Sequence, residues 1–326
     1  MRVTPDCDSI NSFIICSAEG IQVDPEVAFD GANYMAVWSD LRVAGNNTVY
    51  AARVTQAGVV LDPGGFPVGP ADGTSQKQPS IEFIDDKYFV VWGHLAAPYG
   101  VTGRFVNLDG TLGDTVHLAT ANNVVHNTSV AYDGNKMFVV WSEYPGLLRG
   151  QLVSPAGALI GSPFTIADDI LVVNSGNICF GGYEYFVVYT RWVGSYLELW
   201  GRKYDTSGNP MGAQFGITDP GQSNSDGSVV AGDEYYLCVW SKLLYPSDIY
   251  GSLDIAVGIE HDGSSMTVKE TPCTTTIISG PLLLPADKEF IVFDITGRVV
   301  QPDKIQPGIY FIARDERIIQ KVIKVR

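Results

Sequence analysis

The sequence predicts an all-β fold: a five-bladed β-propeller closed by its N-terminal strand, followed by a small C-terminal β-sandwich of immunoglobulin-like type. Three observations carry this. One strand-rich motif recurs five times, its period is about 50 residues, and the texture of the chain changes near Thr274.

The motif reads PEVAFDGANYMAVWSD from Pro25, PSIEFIDDKYFVVWGH from Pro79 and TSVAYDGNKMFVVWSE from Thr128, with looser copies from Gly176 and Gly227. Its aromatic anchors Trp38, Trp92, Trp141, Tyr189 and Trp240 stand 54, 49, 48 and 51 residues apart. That spacing belongs to propeller blades of alternating strands, not to helical solenoids. In each unit a short strand meets a tight turn such as Asp30-Gly31, where Gly supplies the positive φ of a hairpin. A second strand follows, rich in β-branched and aromatic residues. A third carries Arg53, Arg104, Arg149 or Arg202 and ends in a glycine turn, and a fourth closes the blade. Because these arginines recur with the fold they are read as structural, with acidic partners on neighbouring strands or blades.

The fifth unit drifts out of pattern after Asp248-Ile249-Tyr250-Gly251. The N-terminus offers replacements: 2–6 reads as the end of a third strand and 12–16 as a fourth. Sharing a blade between both termini leaves no exposed edge. The propeller is thus expected over 1–270 and the second domain over 274–326.

Of the 326 residues 45% are hydrophobic, ample for a sizeable core, and no apolar run of 18 residues suggests a membrane-spanning segment. The net charge of −15 argues against nucleic acid and anionic membranes, which need a basic face. Charge is uneven: residues 274–326 hold 8 Lys+Arg and 6 Asp+Glu, leaving 13 and 30 elsewhere. An acidic disc with a basic tail fits ordinary solubilising charge on a propeller rim, and as a second reading suggests attraction between copies. Cys7 and Cys16 are spaced for a short disulfide-closed hairpin, whereas Cys179 and Cys238 sit in apolar strands as buried thiols. The scattered His and absent CxxC pairs give no metal site and no cofactor.

Sites in propellers gather where the first strands converge. Aligned first strands give two axial rings: Asp24, Gln78, Asn127, Ser175 and Asp226, then Glu26, Ser80, Ser129, Asn177 and Ser228. Glycoside hydrolysis needs an acid and a base carboxyl group, and Asp24, Glu26 and Asp226 are the only carboxylates in these rings. A further ring past the second strand, Asp40, His94, Glu143, Arg191 and Lys242, changes chemistry in every blade, which argues against five equivalent sugar sites. Tyr144, Trp192, Tyr196 and Tyr245 follow second strands and have the flat faces on which sugars stack.

Near the C-terminus come Phe293-Asp294-Ile295-Thr296-Gly297-Arg298, then Pro307-Gly308-Ile309-Tyr310, then Lys321-Val322-Ile323-Lys324-Val325-Arg326. These elements resemble the C-terminal sorting domain of the type IX (Por) secretion system. The resemblance covers about the last 50 residues and implies Asp294, Gly297, Arg298, Pro307, Gly308, Tyr310, Lys324 and Arg326 as the sorting motif. It also implies a secreted or cell-surface bacterial protein whose signal peptide lies outside this numbering.

With few catalytic groups in view, the expected function is a non-enzymatic extracellular structural or adhesion protein. It would assemble with itself or other surface proteins into filaments or a surface layer. The alternatives are a carbohydrate-binding, lectin-like propeller and a five-bladed glycoside hydrolase.

Overall fold

The computed structural model describes the whole chain except 1, 4–8, 43–45, 71–74, 169–175, 233–234, 243–247, 257–273, 279–290, 295–297, 315–316 and 325–326. It divides into two compact units, Met1–Glu260 and His261–Arg326.

In the first unit each repeat folds back on itself as an antiparallel meander. The first sheet runs Gln22–Phe29, Asn33–Asp40, Thr48–Thr55 and Phe66–Pro67. The second is Gln76–Ile84, Lys87–His94, Gly100–Asn107 and Leu112–Thr120. The third is Val125–Tyr132, Met137–Glu143, Leu147–Val153 and Leu159–Ala167. The fourth is Asn177–Phe180, Glu184–Val193, Tyr196–Asp205 and Phe215–Gly216. The fifth has three strands, Asn224–Ala231, Tyr235–Lys242 and Ile249–Ala256. The first strand of each sheet packs on the first strand of the next, and all five line one cavity. The sheets thus radiate from an axis as the blades of a β-propeller.

There is no single core. Apolar clusters fill the spaces between the first and second, second and third, third and fourth, and fourth and fifth sheets. A repeated pair sets that packing. Phe138 and Phe186, both fully buried, lie over Gly150 and Gly201 of the adjacent strand, where an added Cβ would come within 2.5 Å of the ring. Phe89 and Gly103 repeat the arrangement, while the first sheet uses the smaller Met35 with Ala51. A large residue on one strand thus meets a small one on the next, which lets the aromatic rings pack closely.

The arginines are structural, with varied partners. Arg53 grips Asp62 of its own sheet at 2.8 Å and reaches the Leu108 carbonyl of the next at 3.2 Å. Arg104 donates to the Val68 carbonyl of the preceding sheet at 3.0 Å. Arg149 faces Glu143 at 3.5 Å, and Arg202 lies over the Tyr204 ring.

The N-terminus departs from expectation. Arg2–Val3 pairs with Ser9–Asn11 in a separate two-stranded sheet, and 12–16 is not a strand. Among the described residues no pairing joins this hairpin to Ile249–Ala256, so the last blade is not completed as expected. The physical reason lies at Cys16. Its Sγ donates to the Gly64 carbonyl (3.6 Å) and accepts from Arg42 Nη2 (3.4 Å), which ties this segment to the first sheet. Cys16 is a free thiol, and its expected partner Cys7 lies outside the described residues. Cys179 and Cys238 are free thiols that burial pushes up to about 12.

In the second unit the described residues form one five-stranded sheet, ordered Thr274–Ile278, Arg317–Lys324, Gly308–Arg314, Ile291–Asp294, Val299–Val300. The first two are parallel and the rest antiparallel. The Tyr310 hydroxyl closes the preceding turn, donating to the Gln306 carbonyl at 2.8 Å and accepting from the Gln306 N–H at 3.0 Å.

Candidate functional site on the propeller axis

Four of the five first strands start with a bulge. Register slips between Val23 and Glu26, Lys77 and Ser80, His126 and Ser129, and Ser225 and Ser228. At each bulge one residue adopts the left-handed conformation: Asp24 (φ 53°), Gln78 (51°), Asn127 (44°) and Asp226 (56°). Asp and Asn tolerate this region better than most residues, and bulges re-aim side chains at the edges of sites. Two of the four precede proline, Pro25 and Pro79, which already disfavours the right-handed helical region.

These residues rim a polar cavity of about 360 Å³ at one end of the axis. Ser39 donates to Asp24 Oδ2 at 3.3 Å and accepts from the Gln78 N–H at 3.0 Å. Asp226 Oδ2 accepts from Ser225 (2.8 Å) and Ser241 (3.1 Å). Glu26 lies at the neck between this cavity and a second of about 430 Å³. Burial pushes its carboxyl up to about 7 against the pull of Ser80 and the Ile81 N–H, and the charge of Glu82 pushes the same way. Asp226, about 200 residues away in sequence, therefore shares one cavity with Asp24 and Glu26.

Glu82 was not among the expected site residues. Burial pushes it also to about 7, and it lines the second cavity. A signal for it existed, because the matching positions of the other repeats are Ala28, Ala131, Cys179 and Val230.

Antiparallel pairing puts the starts of the first strands beside the ends of the second. Tyr144, Trp192 and Tyr196 consequently stand at the same end as the Asp24 cavity, all strongly exposed. Tyr245 lies outside the described residues. The mixed ring past the second strand supports the blades' aromatics instead. Trp38 Nε1 donates to Asp40 (2.8 Å) and Trp141 Nε1 to Glu143 (2.8 Å), while Arg191 stacks over Trp200. Of the sorting motif, Tyr310 is buried, Pro307 and Arg298 are exposed and Gly308 opens a strand. Asp294 and Lys324 are placed by their strands alone, and Gly297 and Arg326 fall outside the described residues. Among the described residues no group of three His, Cys, Asp or Glu could hold a metal, and no helix is long and apolar enough to cross a membrane.

Fold and cavity define a β-propeller with a carboxylate-bearing axial site. No family model matches the chain, and no curated protein does. Solved structures do. The catalytic domain of the GH62 α-L-arabinofuranosidase of Coprinopsis cinerea is 11% identical over 71% of this chain and 89% of its own, with a TM-score of 0.46. The arabinanase of Bacillus subtilis is 11% identical over 73% and 96%, at 0.43. The exo-β-1,3-galactanase of Phanerochaete chrysosporium is 12% identical over 76% and 64%, at 0.49. These likenesses are of fold.

One expectation is corrected. The first strands bring the carboxyl groups of Asp24, Glu26 and Asp226 to one cavity, so the axis is not an inert polar lining, and the three solved structures named above are described as glycoside hydrolases. The non-enzymatic structural or adhesive role, with its filaments and surface layer, is withdrawn. It rested on an apparent shortage of suitably gathered carboxyl groups, and the fold brings three of them to the axial cavity.

Proposed function

We propose that the protein is a glycoside hydrolase: a five-bladed propeller closed around an axial site of Asp24, Glu26 and Asp226. The observation that carries this is the gathering of Asp24, Glu26 and Asp226 in one cavity, with burial pushing the Glu26 carboxyl up to about 7. Cleaving a glycosidic bond requires one carboxyl group that gives a proton to the leaving oxygen and one carboxylate that attacks, or activates water. A carboxyl group that keeps its proton toward neutrality is suited to the acid role.

Glu26 takes the acid role. Asp226, on another strand, takes the carboxylate role across the cavity, and Asp24 orients the sugar beside Glu26. Trp192, Tyr196 and Tyr144 supply stacking surfaces for further sugar units at the same end. Export belongs to the same proposal, because the C-terminal residues resemble a sorting domain.

The test is turnover of aryl α-L-arabinofuranoside, arabinan and β-1,3-galactan by the full chain. Activity that falls about 10²–10⁴-fold in Glu26→Gln and Asp226→Asn supports the assignment. Absence of turnover on all three, or undiminished turnover in both variants, removes it.

A further inference from the structure

Two hydrogen-bond rules repeat at the interfaces between sheets. In the first, an inner-ring side chain accepts the backbone N–H that begins the next sheet's core. The Ile81 N–H donates to Glu26 (3.1 Å), Val130 to Ser80 (3.3 Å), Ile178 to Ser129 (3.2 Å) and Val229 to Asn177 (3.0 Å). All four interfaces between consecutive sheets obey it. In the second, a tyrosine of one sheet donates to a turn carbonyl of the sheet before. Tyr88 bonds Asn33 O (3.3 Å), Tyr185 bonds Lys136 O (3.0 Å) and Tyr236 bonds Glu184 O (3.5 Å). The remaining interface has Met137 at that position and uses Tyr132 to Asp85 instead (2.7 Å).

The seam between the fifth and first sheets carries the same residue types without these bonds among the described contacts. Val27, the counterpart of Ile81, Val130, Ile178 and Val229, is 58% exposed where they are 4–7%. Leu237, the counterpart of Phe89, Phe138, Phe186 and Met35, is 36% exposed where they are 0%. Tyr34, the counterpart of the stapling tyrosines, is 40% exposed. Opposite it, the Tyr235 carbonyl already accepts the Gly232 N–H at 2.8 Å, as Asn33, Lys136 and Glu184 accept their own turn N–H groups at 3.0, 3.1 and 2.9 Å. In those three the second lone pair takes the tyrosine.

We infer that the ring closes across this seam through two latches set by the repeat: Ser228 Oγ accepting the Val27 N–H, and Tyr34 Oη donating to the Tyr235 carbonyl. The occupant of each exposed face is the other face of the same chain, because both already line the same two axial cavities. Closure buries Val27 and Leu237 together, as their counterparts are buried elsewhere, and apolar area removed from water drives it. The latch also has a positioning role. Glu26 and Asp226 stand on opposite sides of the seam, so closure sets their separation; that consequence alone rests on the hydrolase reading.

Native-state hydrogen exchange on the dilute full-length chain tests it without any substrate. The Val27 amide should exchange within about tenfold of the Ile81, Val130, Ile178 and Val229 amides. In Ser228→Ala it should exchange at least about tenfold faster while Ile81 is unchanged, and Tyr34→Phe should move in the same direction. Val27 exchanging as an open amide while the other four are protected overturns the closure. Protection that appears only as protein concentration rises also overturns it, since a second copy would then fill the seam. Failure of the hydrolase reading would show as absent turnover with this exchange pattern intact.

Discussion

Glu26 accepts the backbone N–H of Ile81 at 3.1 Å, so the only carboxyl group in the inner ring also staples the first sheet to the second. Serine hydroxyls and an asparagine carbonyl do that work at the next three interfaces. The staple needs only an acceptor, whereas acid catalysis needs a proton, and the two roles are separable by substitution.

Glu26→Gln keeps an acceptor for Ile81 and should keep its unfolding midpoint in denaturant while losing turnover. Glu26→Ala should lose both. An orphaned N–H at this depth costs about 1–3 kcal/mol. Equal destabilisation by the two variants would contradict the separation.

Stability should fall as pH rises from about 4.5 to about 7. Glu26 and Glu82 both start from 4.5 and are raised to about 7 in the folded chain. The folded state therefore holds more protons than the unfolded state across that window. Their contribution is complete below the unfolded value and is lost as pH passes through the folded one. Melting temperature measured between pH 4.5 and 8 should decline, and Glu82→Gln should flatten the decline. Turnover should share an alkaline limb near 7, where Glu26 gives up its proton.

Gly150→Ala should destabilise the propeller by about 1–3 kcal/mol, the usual cost of overpacking. The new Cβ would meet the Phe138 ring at 2.5 Å. Adding Phe138→Met should recover part of the loss, because the first sheet already pairs Met35 with Ala51. A double-mutant cycle from chemical denaturation checks the coupling.

Trp192→Ala and Tyr196→Ala should leave stability within about 0.5 kcal/mol, as exposed side chains usually do. Both should weaken polysaccharide binding more than turnover of a small aryl glycoside, because a remote stacking surface touches only longer chains. Equal losses on both substrates would place these residues at the reacting sugar.

Much of the fold was legible in the sequence because its signals are local. Turn chemistry such as Asp30-Gly31 and the alternation before Trp38 recur from repeat to repeat at a period of about 50 residues. The axial rings were legible for the same reason, since aligning repeats aligns the positions that face the axis. The N-terminal strand was misjudged because strand propensity in 12–16 says nothing about partners. Contacts of Cys16 with Arg42 and Gly64 fasten that segment to the first sheet.

The sequence by itself determined the repeat, its strands and the identity of the ring residues, since these depend on neighbours a few positions away. Only the tertiary structure decided that Glu26 and Glu82 hold their protons toward neutrality, and that Asp24, Glu26 and Asp226 share one cavity. Desolvation and packing are set by residues from other blades, which only the folded chain brings into contact.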